Sequence, residues 1–425
     1  MAVPPSDAVA HHGDDTARTG DHPAHWGGVF AMTLCVFALI ASEFMPVSLL
    51  TPISVTLGVS EGWTGYGIAI SGAFAVLTSL CIARVAGAVD RKTLLLGLTA
   101  LMCVSGLAVS LAPDYLTYMI GRALIGVVVG GFWSMSAAVA MRLVPARDVP
   151  RALGVFNGGN ALATVVAAPL GSYLGGIVGW RGAFFCLVPV ALLALVWQWT
   201  SLPAMRAGPR AAAPASALAV LKRPLVRLGM LAVGAFFMGQ FMLFTYVRPF
   251  LESATHMPVP TLSLLLLTMG VMGVIGTIVI GSVLKTGLYR VLIVIPLLMA
   301  AIAAALMVAG DSTRAAFVLL GLWGLIATAA PVGWWSWLAS ALPDDAEAGG
   351  GLMVAMAQLC IALGSTLGGV LFDASGYRAT FGASAALLVL AAVLARATAR
   401  SAQRGALTPP HPAVPSPPAT SAVSN

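Results

Sequence analysis

Long apolar runs separated by short polar breaks recur along almost the whole chain. Each is near or above the roughly 18 residues that a bilayer crossing needs. The pattern predicts twelve spans, at 28–55, 63–83, 93–112, 116–142, 153–177, 182–201, 228–250, 261–283, 290–309, 315–339, 350–372 and 380–396. Most of these runs lack a polar stripe, as expected of helices surrounded by lipid and by one another. The expected class is an all-α integral membrane protein.

Composition agrees with the pattern. Of 425 residues 59% are hydrophobic and 9% charged, with mean hydropathy +0.95; a soluble domain carries about 25% charged residues. The net charge of +7 sits in short loops, so it reports topology and not a nucleic-acid surface. With the N-terminus inside, seventeen basic residues fall inside. Four, Arg181, Arg248, Arg314 and Arg378, fall outside, and Arg122 lies within a span. That bias places both termini on the cytoplasmic side. The loop with Asp344, Asp345 and Glu347 departs from the trend, but acidic residues carry little weight in it.

The expected organisation is a disordered tail at 1–25, a six-helix half at 26–201, a cytoplasmic linker at 202–227, a second half at 228–398 and a disordered tail at 399–425. Pro203, Pro209, Pro214 and Pro224 mark the linker, and Pro and Ser dominate the last residues. The N-terminal tail lacks the basic-then-apolar pattern of a signal peptide. The five cysteines lie within apolar spans and are expected to be buried packing residues. No His/Cys set has metal-ligand spacing, no glycine loop opens a helix as a phosphate cradle, and no segment is long enough for a nucleotide domain. Neither enzyme nor ATP-driven pump is expected, and no metal or cofactor.

The two halves repeat. Leu-Gly-Ser-Tyr-Leu-Gly-Gly at 170–176 returns as Leu-Gly-Ser-Thr-Leu-Gly-Gly at 363–369, and Gly-Trp-Arg-Gly-Ala-Phe at 179–184 as Gly-Tyr-Arg-Ala-Thr-Phe at 376–381. Helix packing alone makes glycine-rich helices similar, yet here two ordered matches lie six spans apart. With this repeat the chain resembles the major facilitator superfamily, whose halves are parallel six-helix repeats flanking a substrate path. Arg122 followed by Gly126 and Gly130 resembles the fourth-helix motif of its drug/proton antiporter branch. Ala168-Pro169-Leu170-Gly171 resembles the fifth-helix motif, with Ala168 where Gly is usual. Pro46 to Pro52 matches the end of helix one. Of the gating loop between helices two and three, Asp90, Arg91 and Lys92 remain without their framing glycines. Glu43–Pro52, Gly130–Leu153, Gly239–Pro249 and Pro331–Trp335 are similar to the bacterial purine ribonucleoside efflux pumps of this branch.

Glu43 is the most informative charge. An ionisable group well inside a membrane span costs on the order of 2.5–3.5 kcal/mol by insertion scales and is by default functional; a static ion pair or a protonated, walled-in carboxyl is the alternative. Counting from the inner boundary puts Glu43 about 25 Å and Arg122 about 30 Å along their helices, so the arginine is the expected partner. Its alternative role is a clamp on main-chain carbonyls. The resemblance implies a proton antiporter, which would assign proton coupling to Glu43 and Arg122; one carboxylate does not by itself distinguish protons from sodium. Pro46, Pro52, Gly126, Gly130, Pro169 and Gly171 would bend or closely pack the helices that rock.

With both charges so engaged, the substrate is expected to be neutral. Trp133 and Trp334 lie about 13–15 Å from the inner surface, too deep for an interfacial belt, and could stack a flat ring. Asn157, Asn160, Gln240, Tyr246 and Gln358 could bind hydroxyls or ring nitrogens; packing between helices is the alternative for all seven. Purine ribonucleosides follow from the resemblance alone. Multidrug or sugar efflux by the same fold, or passive uniport, stay open. The expected partners are the bilayer, protons and a small solute, and the expected state is a monomer.

Overall fold

The computed structural model describes residues 24–85, 89–135, 139, 142–145, 148–205, 221–285, 287–342 and 346–407, a few side chains within these ranges excepted. Among them the regular structure is helical: α1 (Trp26–Leu57), α2 (Glu61–Val85), α3 (Arg91–Ser110), α4 (Tyr115–Trp133), α5 (Val149–Ser201), α6 (Pro224–Phe244), α7 (Val247–Ala254), α8 (Val259–Leu284), α9 (Leu288–Ala309), α10 (Thr313–Ala327), α11 (Ala330–Ala341) and α12 (Ala346–Leu407). Nine stretches among the described residues are long and apolar enough to cross a membrane, with α6–α7 and α10–α11 each counted as one. Both α5 and α12 turn back at a glycine and hold two crossings each. With α2, twelve crossings result.

The glycine turns are the plainest mark of pseudo-symmetry. Gly179 has φ 74° and ψ 166°, and Gly376 φ 74° and ψ −174°, a left-handed region that costs any other residue steric strain. Helix contacts repeat as well. A Cβ on Gly126 would collide with the Ser71 carbonyl, and one on Gly324 with that of Met269. The separations 324 − 126 and 269 − 71 are both 198. In each half, therefore, one helix lies against the backbone of another where only hydrogen fits.

Polarity is inverted relative to a soluble domain. Val308, Ile278 and Trp199 are exposed, 84%, 73% and 68%, whereas Arg122 is 1% and Glu43 6% exposed. One apolar core fills the second half around Trp323, Trp334 and Trp337, and two smaller ones fill the first. Short polar caps set helix starts in the loops. Asp90 accepts from the Lys92 and Thr93 amides ahead of α3, and Asp114 from the Thr117 amide ahead of α4. The latter bond holds the Asp114 carboxyl below its ordinary range.

Several expectations shift. The linker residues 206–220 and most of both tails lie outside the described residues, but α12 continues to Leu407 where a disordered tail was expected from 399. The seventh span breaks at Thr245–Tyr246 and the tenth at Thr328–Ala329. Helix α4 runs to Trp133, and most of the expected span from 136 to 141 lies outside the described residues. Only Cys35 and Cys360 are buried; Cys81 and Cys186 are exposed and Cys103 lies between. Apolar residues on a lipid-facing helix surface need no burial, so hydropathy alone did not separate the two groups.

Candidate functional site

Helix α1 carries two internal prolines, Pro46 and Pro52. A proline has no N–H, so it leaves the carbonyl four residues earlier without its helical donor, and its ring crowds that carbonyl. Pro46 thus frees Ser42. The Arg122 guanidinium fills that gap, with Nη1 donating to the Ser42 carbonyl at 2.7 Å, Nη2 to the Glu43 carbonyl at 3.0 Å and Nε to the Gly67 carbonyl at 3.1 Å. One buried side chain on α4 so ties α1 to α2.

The carboxylate of Glu43 points elsewhere. Its Oε1 accepts a 3.2 Å hydrogen bond from Gln358 Nε2 on α12, in the other half. No ion pair joins it to Arg122. Elsewhere in the bundle Arg248 pairs with Glu252 at 2.8 Å. The expected Glu43–Arg122 pairing is corrected accordingly: the arginine meets Glu43 at its main chain, where the guanidinium serves the Pro46-freed carbonyl of Ser42 next to it. The Oε1 of Gln358 is buried with no partner, and so is the Oε1 of Gln240 on α6. Next to these two polar positions Phe44 and Phe241 face each other across the seam, ring centroids 5.8 Å apart, in an apolar cluster with Val47, Ile68 and Ile361.

The remaining expected site residues divide. Trp334 is buried within the second half's core against Phe236 and Trp337. Trp133 is half-buried edge-on to Phe156. They lie against different cores, Trp133 beside that of the first half and Trp334 within that of the second, and do not form an opposed pair. Tyr246 is wholly buried, stacked on Phe372 with its hydroxyl donating to the Ser365 carbonyl at 2.8 Å, so it braces helices. Asn160 is half-buried on α5, and the side chain of Asn157 lies outside those described. Pro169 is buried, and a Cβ on Gly171 would come 2.7 Å from Ser48 Oγ, so α5 lies close on α1 beside the prolines. Gly126 and Gly130 pack on the backbones of Ser71 and Ala75. At the other end of the bundle Asp90 caps α3, Lys92 N–H donates to it, and Arg91 N–H donates to the Met205 carbonyl at 3.0 Å.

Two features escaped the sequence reading. Arg248, counted there as an outer-loop residue, is 5% exposed inside the bundle. Phe44 and Phe241 were passed over, although each directly follows a polar residue singled out in the sequence, Glu43 and Gln240.

The bundle has a tail end, where Trp26, Met205, Leu221 and Leu407 lie, and an opposite far end. Several hydrogen bonds join the halves at Glu43 or nearer the far end: Gln358 to Glu43, Arg248 to Ser48, Ser60 and Gly62 to Asp373, and Ser263 to Ser172. The halves are joined at that end. Residues 32–365 match the family model of the Major Facilitator Superfamily. The chain belongs to the major facilitator superfamily. Among superfamily relatives, "Transcription regulatory protein OpdE" of Pseudomonas aeruginosa is 64% identical over 391 residues, covering 91% of this chain and 97% of its own. "Purine ribonucleoside efflux pump NepI" of Salmonella paratyphi B is 39% identical over 376 residues, 88% and 94% of the two chains. A bacterial homologue of the lysosomal transporter Spinster, solved inward-facing and unoccupied, superposes with TM-score 0.76 at 16% identity over 91% of this chain and 99% of that one. A D-xylose–proton symporter superposes with TM-score 0.71 at 18% identity, over 88% and 97%. These facilitator structures agree in fold, and the chain is a multi-pass membrane transporter of that architecture.

Proposed function

We propose that this transporter is a proton-coupled exporter of neutral small solutes, with purine ribonucleosides and their analogues as cargo. The observation that carries the proposal is the Glu43 carboxylate, buried in α1 and bonded across the seam to a neutral amide. An anionic carboxylate in that place has no matching charge within ion-pair distance, and an ionisable group so placed in a membrane is by default functional. Rocking of the halves breaks the bond to Gln358 and alternates the environment of the carboxyl. The basic-residue bias puts the tail end in the cytoplasm, and the burial of Arg248 strengthens that bias by leaving three outer arginines, Arg181, Arg314 and Arg378, in place of four. In that orientation the far-end closure shuts the path off from the outside. Protons and solute then move in opposite directions.

Recognition of a purine nucleoside follows from the seam itself. Phe44 and Phe241 offer aromatic faces to a base, and the unpartnered amide oxygens of Gln240 and Gln358 accept from ring N–H or ribose hydroxyl groups. The similarity to NepI supports this choice over sugars or lipophilic drugs. Reconstituted protein in liposomes should concentrate inosine against its gradient when an opposing proton gradient is imposed. Accumulation of lipophilic cations instead of inosine would replace the nucleoside assignment with multidrug efflux.

The Pseudomonas relative carries a regulatory name, and this favours a second reading: the protein controls gene expression from the membrane. A carrier does so by setting the internal level of an inducer, and Glu43→Gln would then change transcription only through flux. Transcript changes that persist in this variant would support direct signalling.

A further inference from the structure

The second proline of α1 has its own arginine. Pro52 frees the carbonyl of Ser48 just as Pro46 frees that of Ser42. Ser48 is fully buried, so water cannot serve the orphaned oxygen. Arg248 Nη1 donates to it. The two cases differ in one respect. Arg122 braces α1 from within its own half, whereas Arg248 comes from α7 in the opposite half. Its Nε donates at 2.8 Å to Glu252, one turn on along the same helix.

We propose that Arg248 is a cross-half latch, whose bond to the Pro52-freed carbonyl holds the far end shut and whose release sets the rate at which that end opens. The charge arrangement suits the task. Guanidinium and counter-ion ride on one short helix, so when the halves part at the far end the ion pair travels intact. Only a bond to a neutral carbonyl is broken, which makes the latch reversible, whereas parting a buried ion pair would strand two charges. The carbonyl is available because Pro52 cannot donate. The break between α6 and α7 at Thr245–Tyr246 brings α7, and with it Arg248, against α1. The inference holds whatever solute is carried, and its test does not depend on transport.

The test reads closure directly. Val47 is 1% exposed in the seam, and Val47→Cys, in a background with the native cysteines replaced, reports opening through its reaction with a membrane-impermeant maleimide added outside intact cells. Pro52→Ala restores an N–H to Ser48 and makes the latch dispensable. Arg248→Gln paired with Glu252→Gln removes it without leaving a lone buried charge. Each should raise the labelling rate about fivefold, the population change that one net hydrogen bond accounts for. The combined variant should label no faster than the faster of the two, because both act on one bond. Unchanged rates in both would overturn the latch, and so would effects that multiply in the combination. If the arginine pair variant fails to reach the membrane, Pro52→Ala decides alone, since it leaves Arg248 and Glu252 intact.

Discussion

Gln358 Nε2 donates to Glu43 Oε1 at 3.2 Å, across 315 positions of sequence and between the two halves. Each half contributes one polar group, and the bond exists only while the halves are together at that level. Any rocking motion changes the environment of the carboxyl. Fold and chemistry meet at this contact.

Glu43→Gln keeps a hydrogen-bonding side chain opposite Gln358 and removes the titratable group. Uptake driven by a pH gradient in liposomes should fall by about tenfold or more, the effect of roughly 1.4 kcal/mol, with the protein still in the membrane. Exchange of labelled for unlabelled solute, which needs no net proton movement, should persist. Undiminished proton-driven accumulation would remove Glu43 from the mechanism.

Arg122 bonds three main-chain carbonyls, and one of them, Ser42, has no helical donor because Pro46 lies four residues on. Arg122→Met leaves the Ser42 carbonyl buried without a donor, at a cost of about 1–3 kcal/mol, and the thermal unfolding midpoint in detergent should drop. Arg122→Lys lacks the fork that spans the three carbonyls and should recover only part. Adding Pro46→Ala to Arg122→Met should restore stability, because the new N–H serves Ser42. A double variant no more stable than Arg122→Met would show that the proline-freed carbonyl is not what the arginine is for.

Gly126 and Gly324 are equivalent close approaches in the two halves. Gly126→Ala and Gly324→Ala should each destabilise by about 1–3 kcal/mol, the range for overpacking. Gly158→Ala, where nothing lies within 4 Å of the added carbon, should have little effect on the unfolding midpoint. Equal effects at all three would refute the packing account.

Topology is checked by single cysteines at Ala204 and Asp114, at opposite ends of the bundle. In intact cells an impermeant maleimide should label position 114 and spare position 204. The reverse pattern would invert the orientation and with it the proposed direction of transport.

The class was legible along the chain, because apolar runs of bilayer length admit only helices that satisfy their own backbone bonds. The sequence also determined the repeat, since Gly179 and Gly376 stand at matching turns, and it singled out Glu43 as a charge needing a reason. Proximity was beyond it. A one-dimensional height calculation places Glu43 and Arg122 near one level, but rotation about each helix axis decides whether a side chain meets carboxylate, carbonyl or neighbour. That rotation is set by packing across the bundle. Tertiary structure therefore gave Arg122 to the Pro46-freed carbonyl of Ser42, Gln358 to Glu43, Phe44 to Phe241, and Trp334 to the interior of one half. Arg248 makes the same point most sharply: near the end of an apolar run it reads as an outer-loop charge. Only the break between α6 and α7 brings it back into the bundle, onto the oxygen that Pro52 cannot serve.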